Sequence, residues 1–185
     1  FMIHRADLHR ILLDAVTAAA PDAITLGARV TGFEQDASGV TMLCENGTRF
    51  QGDALIGADG VHSRIRNALF GEMPAQFTGL MIWRGLVPME RLPERMRRLV
   101  GTNWVGPGGH VVHYPVRGGS LMNVGGAIER NDWRVESWTE RGTTEEALND
   151  FPGWNEDVHT LIRNIETPYK WALLGREPLD QWTMG

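Results

Sequence analysis

The residues best able to do chemistry lie in one stretch, Ala58-Asp59-Gly60-Val61-His62-Ser63-Arg64-Ile65-Arg66. An Asp-Gly pair is commonly only a turn. This one follows a continuous apolar run, Ala54-Leu55-Ile56-Gly57-Ala58, which reads as a strand buried on both faces. It precedes a short helix that Ser63 opens and that runs through Leu69, with Arg64 and Arg66 in its first turn. Asp59 can accept hydrogen bonds from sugar-like hydroxyls, and Gly60 lets a ligand approach the backbone closely. The helix start and its two arginines favour a phosphate nearby. Strand, tight polar turn and helix is the order that places ligands at the carboxyl end of a sheet. The second group is His110 and Tyr114, which alternate with Val112 and so share one face of a strand. A histidine and a phenol on one face can form a hydrogen-bond relay, and histidine exchanges protons near neutral pH.

Other chemistries fit the sequence less well. His110 and His113 are three apart, which puts them on opposite faces of a strand, and His4 and His9 are five apart on a helix. With one cysteine besides, no metal site is expected. His62 and Ser63 are chain neighbours and no Gly-x-Ser-x-Gly elbow is present, which argues against acyl transfer. Gly106-Pro107-Gly108-Gly109 lacks the Lys-Ser/Thr of a phosphate loop and precedes a strand, so it reads as a hairpin turn.

The elements that must carry these residues follow from periodicity. Leu8, Ile11, Leu12, Ala15, Val16 and Ala19 form one helical face that Pro21 ends, with Asp7 in the first turn. Short strands are expected at Ile24–Leu26, Val30–Gln35, Val40–Glu45 and Thr48–Gln51, the last three forming a meander joined by Asp36–Gly39 and by the hairpin signal Asn46-Gly47. From Phe70 onward glycine turns separate strands at Leu80–Val87, Asn103–Val105, His110–Val116 and Ser120–Ile128, the pattern of an antiparallel sheet. Helices are expected at Leu92–Leu99, from the Thr143-Thr144-Glu145-Glu146 cap to Phe151, and at Asp157–Ile165; Tyr169–Leu174 is a final strand.

The Asp59-Gly60 stretch resembles the Asp-Gly motif of the class A flavoprotein monooxygenases, the aromatic-acid hydroxylases such as salicylate hydroxylase and 3-hydroxybenzoate 6-hydroxylase. Other stretches agree in order. Arg5-Ala6-Asp7-Leu8 resembles the family's Arg-x-x-Leu helix, which implies an FAD contact for Arg5. Arg29-Val30-Thr31 resembles a strand that meets the adenosine part of FAD, which implies a contact for Val30. Trp83-Arg84-Gly85 resembles the entry to the substrate-domain sheet. The stretch from Trp104 through His110 to Tyr114-Pro115 resembles the strand lining the aromatic pocket, and Trp171 to Trp182 resembles the return toward the flavin. The resemblance implies FAD as cofactor, NAD(P)H as co-substrate and contacts to FAD from Asp59, Gly60, Ser63 and Arg64.

It further implies a fold of the α/β and α+β classes: part of a GR2-type FAD-binding domain over 1–70, an antiparallel-sheet substrate domain over 71–175, and a return to the flavin domain from 176 to 185. Two family motifs are missing, the Gly-x-Gly-x-x-Gly turn and the later Gly-Asp motif, so the chain reads as an internal piece expected to bind FAD poorly alone. Hydroxylating a phenolic ring is an electrophilic attack that goes faster when the phenol is deprotonated. His110 is therefore assigned to polarise the substrate phenol, and Tyr114 to orient substrate or relay the proton. The alternative is a non-catalytic module that binds an aromatic acid or a partner protein; a related flavoprotein acting on a non-aromatic ring is a weaker option. A homodimer is common in the family.

Composition sets the outer bounds. The 185 residues carry 18 basic and 23 acidic side chains, a net charge of −5, which gives no electrostatic footprint for nucleic acid or an anionic membrane. No apolar run approaches the roughly 20 residues of a membrane span. The seven tryptophans read mainly as packing residues. Cys44 is alone and reads as an inert packing residue of the meander; a lone cysteine suits a reducing compartment, and no signal peptide is evident, so the expected setting is cytoplasmic.

Overall fold

The computed structural model describes residues 2–130, 132, 137 and 139–185. It divides into two compact units, Phe1–Ile11 with Phe77–Leu174 and Leu12–Gln76 with Gly175–Gly185. The sequence expectation placed 1–70 in one domain; here the boundary falls at 76–77 and the first residues join the sheet unit. One contact that joins them is a forked ion pair: Arg117 Nε and a terminal guanidinium nitrogen donate to the two Asp7 carboxylate oxygens at 2.9 and 3.0 Å. Those bonds hold the Asp7 carboxyl below its ordinary value and fasten the start of α1 (Arg5–Ala19) to the turn at Arg117–Gly119.

In the smaller unit, β1 (Val30–Asp36), β2 (Gly39–Cys44) and β3 (Arg49–Gly52) form an antiparallel meander in that order. Turn chemistry explains it. Gly47 takes φ 80°, and Asn46 Oδ1 accepts from the Thr48 backbone N–H at 3.0 Å. Asp36 Oδ1 accepts from the Ser38 N–H at 2.7 Å to close the first turn. Helix α2 (Arg64–Phe70) follows. Two expected strands are absent. Ile24–Leu26 is irregular, with Leu26 88% exposed, and the Ala54–Ala58 run joins neither sheet, with Ile56 87% exposed. A strand buried on both faces needs layers on both sides; within this unit the run meets α2 only at Gly57, which lies against Ile65. The apolar stripe of α1 is present as a helix, yet Ile11, Leu12 and Val16 are exposed.

The larger unit is a five-stranded sheet in the order β5-β6-β7-β4-β8, built from β4 (Gln76–Pro88), β5 (Thr102–Gly106), β6 (Gly109–Val116), β7 (Leu121–Glu129) and β8 (Tyr169–Gly175). The β4–β7, β5–β6 and β6–β7 pairs are antiparallel. One face packs on α3 (Thr144–Asp150) and α4 (Glu156–Arg163). Thr143 and Glu146 form a reciprocal capping box at the start of α3. Met81, Trp83, Val87, Val111, Met122 and Val124 meet Ala147, Phe151, Val158 and Leu161 in the core. The expected helix at Leu92–Leu99 is instead two single turns, Met89–Arg91 and Glu94–Met96. Pro93 disfavours helical backbone at the residue before it, and Leu92 is extended at φ −82°, ψ 150°. Among the described residues no helix is long and apolar enough to cross a membrane.

Candidate functional site

The alternation that fills the core on one face of the sheet leaves the other face for recognition. Ile82, Arg84 and Leu86 of β4, Val112 and Tyr114 of β6, Asn123 of β7, and Tyr169 and Trp171 of β8 are half-buried there. Register aligns them in rows: Tyr114 pairs with Asn123 and Asn123 with Leu86, while Val112 pairs with Gly125 and Gly125 with Arg84. Over this face lies a cavity of about 810 Å³, roofed by the start of α1 through Ile3, His4, Arg5, Ala6 and His9. Its size suits a small organic ligand.

The cavity is aromatic and cationic. The Arg84 guanidinium lies over the Trp171 ring at 4.7 Å. Burial first, and then the nearby charge of Arg5, push the Arg84 guanidinium below its ordinary value, while Tyr114 opposes them. His4 Nδ1 is buried with no hydrogen-bond partner, an orphan that a ligand or water would satisfy. Glu166, an acid in the lining, is engaged by Arg91 at 3.2 Å.

The smaller unit carries a second cavity, of about 1050 Å³, lined by Asp59, Gly60, Ser63 and Arg66 together with the 179–185 region. Asp59 folds back over the start of α2. Its carboxylate accepts from Ser63 Oγ at 2.5 Å, from the Arg64 N–H at 2.7 Å and from the Ile65 N–H at 3.3 Å. Burial pulls the carboxyl upward, but these bonds outweigh it and the group sits below its ordinary value. Ser63 is 7% exposed and caps the helix by accepting from the Arg66 N–H at 3.0 Å. Gly60 holds φ 78° with open space where a side chain would begin.

These residues fit a flavin nucleotide. Three donors leave an ionised carboxylate at least one lone-pair site, and the bare Gly60 backbone faces a cavity large enough for part of a dinucleotide. Among the expected cofactor residues, Asp59, Gly60 and Ser63 line this cavity, and Arg5 lines that of the sheet unit. Val30 and Arg64 line neither; Val30 pairs with Cys44 at the start of the meander, and Arg64 is exposed.

Tyr114 lines the sheet cavity, whereas His110 is exposed at the hairpin end of β6, paired with Val105 and Ala127 and outside the lining. The two share a face but stand four residues apart, about 13 Å along the strand, so they do not hydrogen-bond directly. His113 turns to the core, where Nδ1 lies 3.4 Å from the Met122 sulfur and burial lowers its pKa. Sequence reasoning passed over Arg84, Trp171 and Asn123. A signal for Arg84 was available, since a cation alternates with Trp83 and Gly85 inside a strand too apolar to be a surface element.

Comparison with known proteins agrees with this geometry. Residues 1–148 match the family described as FAD binding domain. The chain is 37% identical over 185 residues to a 3-amino-4-hydroxybenzoate 2-monooxygenase of Streptomyces platensis, covering 100% of this chain and 46% of that protein. It is 35% identical to a 3-hydroxybenzoate 6-hydroxylase of Polaromonas naphthalenivorans, with the same coverage of 100% and 46%. A solved salicylate hydroxylase substrate complex superposes with a TM-score of 0.79 at 31% identity, covering 99% of this chain and 48% of that one. The chain thus spans under half the length of each of these proteins. The family match takes in the helix that roofs the sheet cavity, the Asp59 turn and most of the sheet strands, and on that continuity the chain belongs to the FAD binding domain family.

Proposed function

We propose that this chain supplies the Asp-Gly turn and the substrate sheet of an FAD-dependent monooxygenase that hydroxylates an aromatic hydroxy acid of the salicylate or hydroxybenzoate type, using NAD(P)H and O₂. The observation that carries the reading is the sheet cavity, where Tyr114, Tyr169 and Trp171 surround a space that Arg5 and Arg84 make electropositive. Such a space suits an aromatic ring bearing an acid group. The names of the relatives, which print hydroxybenzoates, support the same class.

Bound FAD supplies the redox chemistry that activates oxygen. Asp59 and Gly60 would hold it, with Ser63 and Asp59 keeping the start of α2 in place. The remaining work belongs to side chains. Aromatic walls exclude water and orient the ring. Tyr114 fixes one end of the substrate. His110, on the same face of β6 but exposed and outside the cavity lining, is proposed to take or share the proton of the substrate phenol, a role that the His110→Ala variant tests. A cytoplasmic setting, where NAD(P)H is renewed, belongs to this reading. The test is the full-length protein: it should purify yellow, oxidise NAD(P)H faster when salicylate or a hydroxybenzoate is added, and yield a product heavier by one oxygen atom. A colourless protein, or NAD(P)H oxidation indifferent to the whole aromatic-acid panel, refutes it.

A further inference from the structure

We propose that Asn123 is a specificity-determining residue of the sheet cavity, its side-chain amide donating, beside the Tyr114 hydroxyl, to the carboxylate of the aromatic acid. The inference rests on the aromatic-acid reading above and names the residue that tells an acid from a neutral relative. Asn123 sits in the interior of β7 between Met122 and Val124, both buried in the core. Its own side chain belongs to the opposite face, is half-buried and lines the cavity. Asparagine is depleted in strands, and a polar side chain taken partly out of water costs stability unless something pairs with it. Among the described residues the Asn123 side chain makes no hydrogen bond. The fold itself therefore gives no reason for an amide at this position.

Register sets the amide beside a second donor. Asn123 pairs directly with Tyr114 of β6, which places the two Cβ atoms about 4.5–5.5 Å apart on one face. Tyr114 lines the same cavity. Two neutral donors side by side suit an ionised carboxylate, which accepts through both oxygens and donates nothing. Hydrogen bonds to such a charged acceptor are about twice as strong as those between neutral groups, so the pair favours an acid over a neutral ligand of the same shape. Gly125 follows Asn123 by two residues on the same face. It has ordinary strand backbone and no side chain, so β7 leaves the floor beside the amide bare, as a close-lying ligand requires. Tyr169 and Trp171 of β8 also line the cavity and offer aromatic surface for the ring.

The test uses the full-length FAD-loaded protein and two probes of nearly equal shape, 3-hydroxybenzoate and 3-hydroxybenzamide. Both are titrated by calorimetry at pH 8, well above ordinary carboxyl values. The wild type should prefer the acid. Asn123→Asp keeps the shape of the side chain but replaces its donor with a negative acceptor. It should bind the acid about 10- to 100-fold more weakly and the amide, which brings its own N–H donors, within about threefold of the wild type. The order of preference then inverts. An Asn123→Asp protein that keeps the wild-type ratio of acid to amide overturns the proposal. If Asn123→Asp fails to fold, Asn123→Leu decides, since leucine suits a strand. A loss greater for the acid than for the amide supports the assignment, and equal losses or none overturn it. Turnover is measured in parallel on the wild type. Acid-selective binding that Asn123→Asp inverts, without turnover, upholds Asn123 and refutes the hydroxylase reading. Turnover without acid selectivity, or with selectivity that Asn123→Asp leaves intact, refutes Asn123 and leaves the hydroxylase reading standing. A wild type that binds neither probe overturns the assignment of Asn123, and the aromatic-acid panel above then judges the hydroxylase reading.

Discussion

Gly126 and Phe151 offer a direct test of how the sheet is held. Gly126 lies on the core face of β7, and a methyl group added there would stand 2.7 Å from Phe151 Cζ, 3.1 Å from its Cε2 and 3.4 Å from Val111 Cγ2. Ordinary carbon contacts are about 3.5–4.0 Å, so the ring would have to retreat by roughly 1 Å. It has little room, being 1% exposed and packed edge-on against Trp154 at 5.2 Å between centroids. Gly126→Ala should therefore cost about 1–3 kcal/mol, as overpacking does. Phe151→Ala opens a cavity and should cost about 3–5 kcal/mol. The informative variant is the double one. With the ring gone, the new methyl enters empty space and partly refills it, so Gly126→Ala should cost close to nothing in that background. The coupling should fall at about 1–3 kcal/mol, in the range found for residues in contact. Urea unfolding of the four full-length proteins, followed by circular dichroism, measures it. If Gly126→Ala costs as much without the ring as with it, the glycine is not there to seat Phe151 and this account of the core fails.

Protonation of buried His113 should make the sheet unit acid-sensitive. Burial holds its pKa below 6.5, so its stabilising contribution is complete above that value and is lost as pH falls toward the lower folded pKa. Unfolding midpoints of wild type and His113→Asn across this interval should converge on acidification, and parallel curves would count against the assignment. Asp59→Ala removes the acceptor for Ser63 Oγ and two backbone N–H groups at the start of α2; full-length protein should lose bound flavin, read from its visible absorbance, while Asp59→Asn retains more. A fully yellow Asp59→Ala protein contradicts the role of that turn. His110→Ala should cut hydroxylation far more than NAD(P)H oxidation, releasing hydrogen peroxide, whereas Tyr114→Phe should raise KM for the acid more than it lowers kcat. Equal losses of hydroxylation and NAD(P)H oxidation in His110→Ala would refute ring activation.

Elements whose signals are local were legible in the sequence. Asn46-Gly47 gave the turn between β2 and β3, and Thr143 with Glu146 gave the start of α3, because each motif satisfies its own backbone bonds within a few residues. The two faces of β6 were legible too, since alternation separates Val111 and His113 from Val112 and Tyr114. What failed depends on neighbours. Ala54–Ala58 has the composition of a buried strand, but burial is a property of what packs on it, and in its unit only Ile65 of α2 closes on it, at Gly57. The Leu92–Leu99 periodicity overlooked the cost of Pro93 inside the run. For the site, the Asp59 turn was visible as a motif, but its carboxylate turned out to be engaged by its own helix. The Arg84–Trp171 pair was hidden because 87 residues separate its members and only the placing of β8 beside β4 joins them.

The division of labour between the two faces of the five-stranded sheet has a practical meaning for protein engineering. Along β4 and β6 the even-numbered positions of the strand interiors lie on the face that carries the cavity and the odd-numbered ones on the core face, and on β7 and β8 the parity is reversed. Diversifying Ile82, Leu86, Val112 and Asn123 together would resculpt ligand choice while sparing the helix-backed layer on which folding depends. A library drawn by parity should thus yield soluble variants with altered substrate preference far more often than one drawn at random across the same strands.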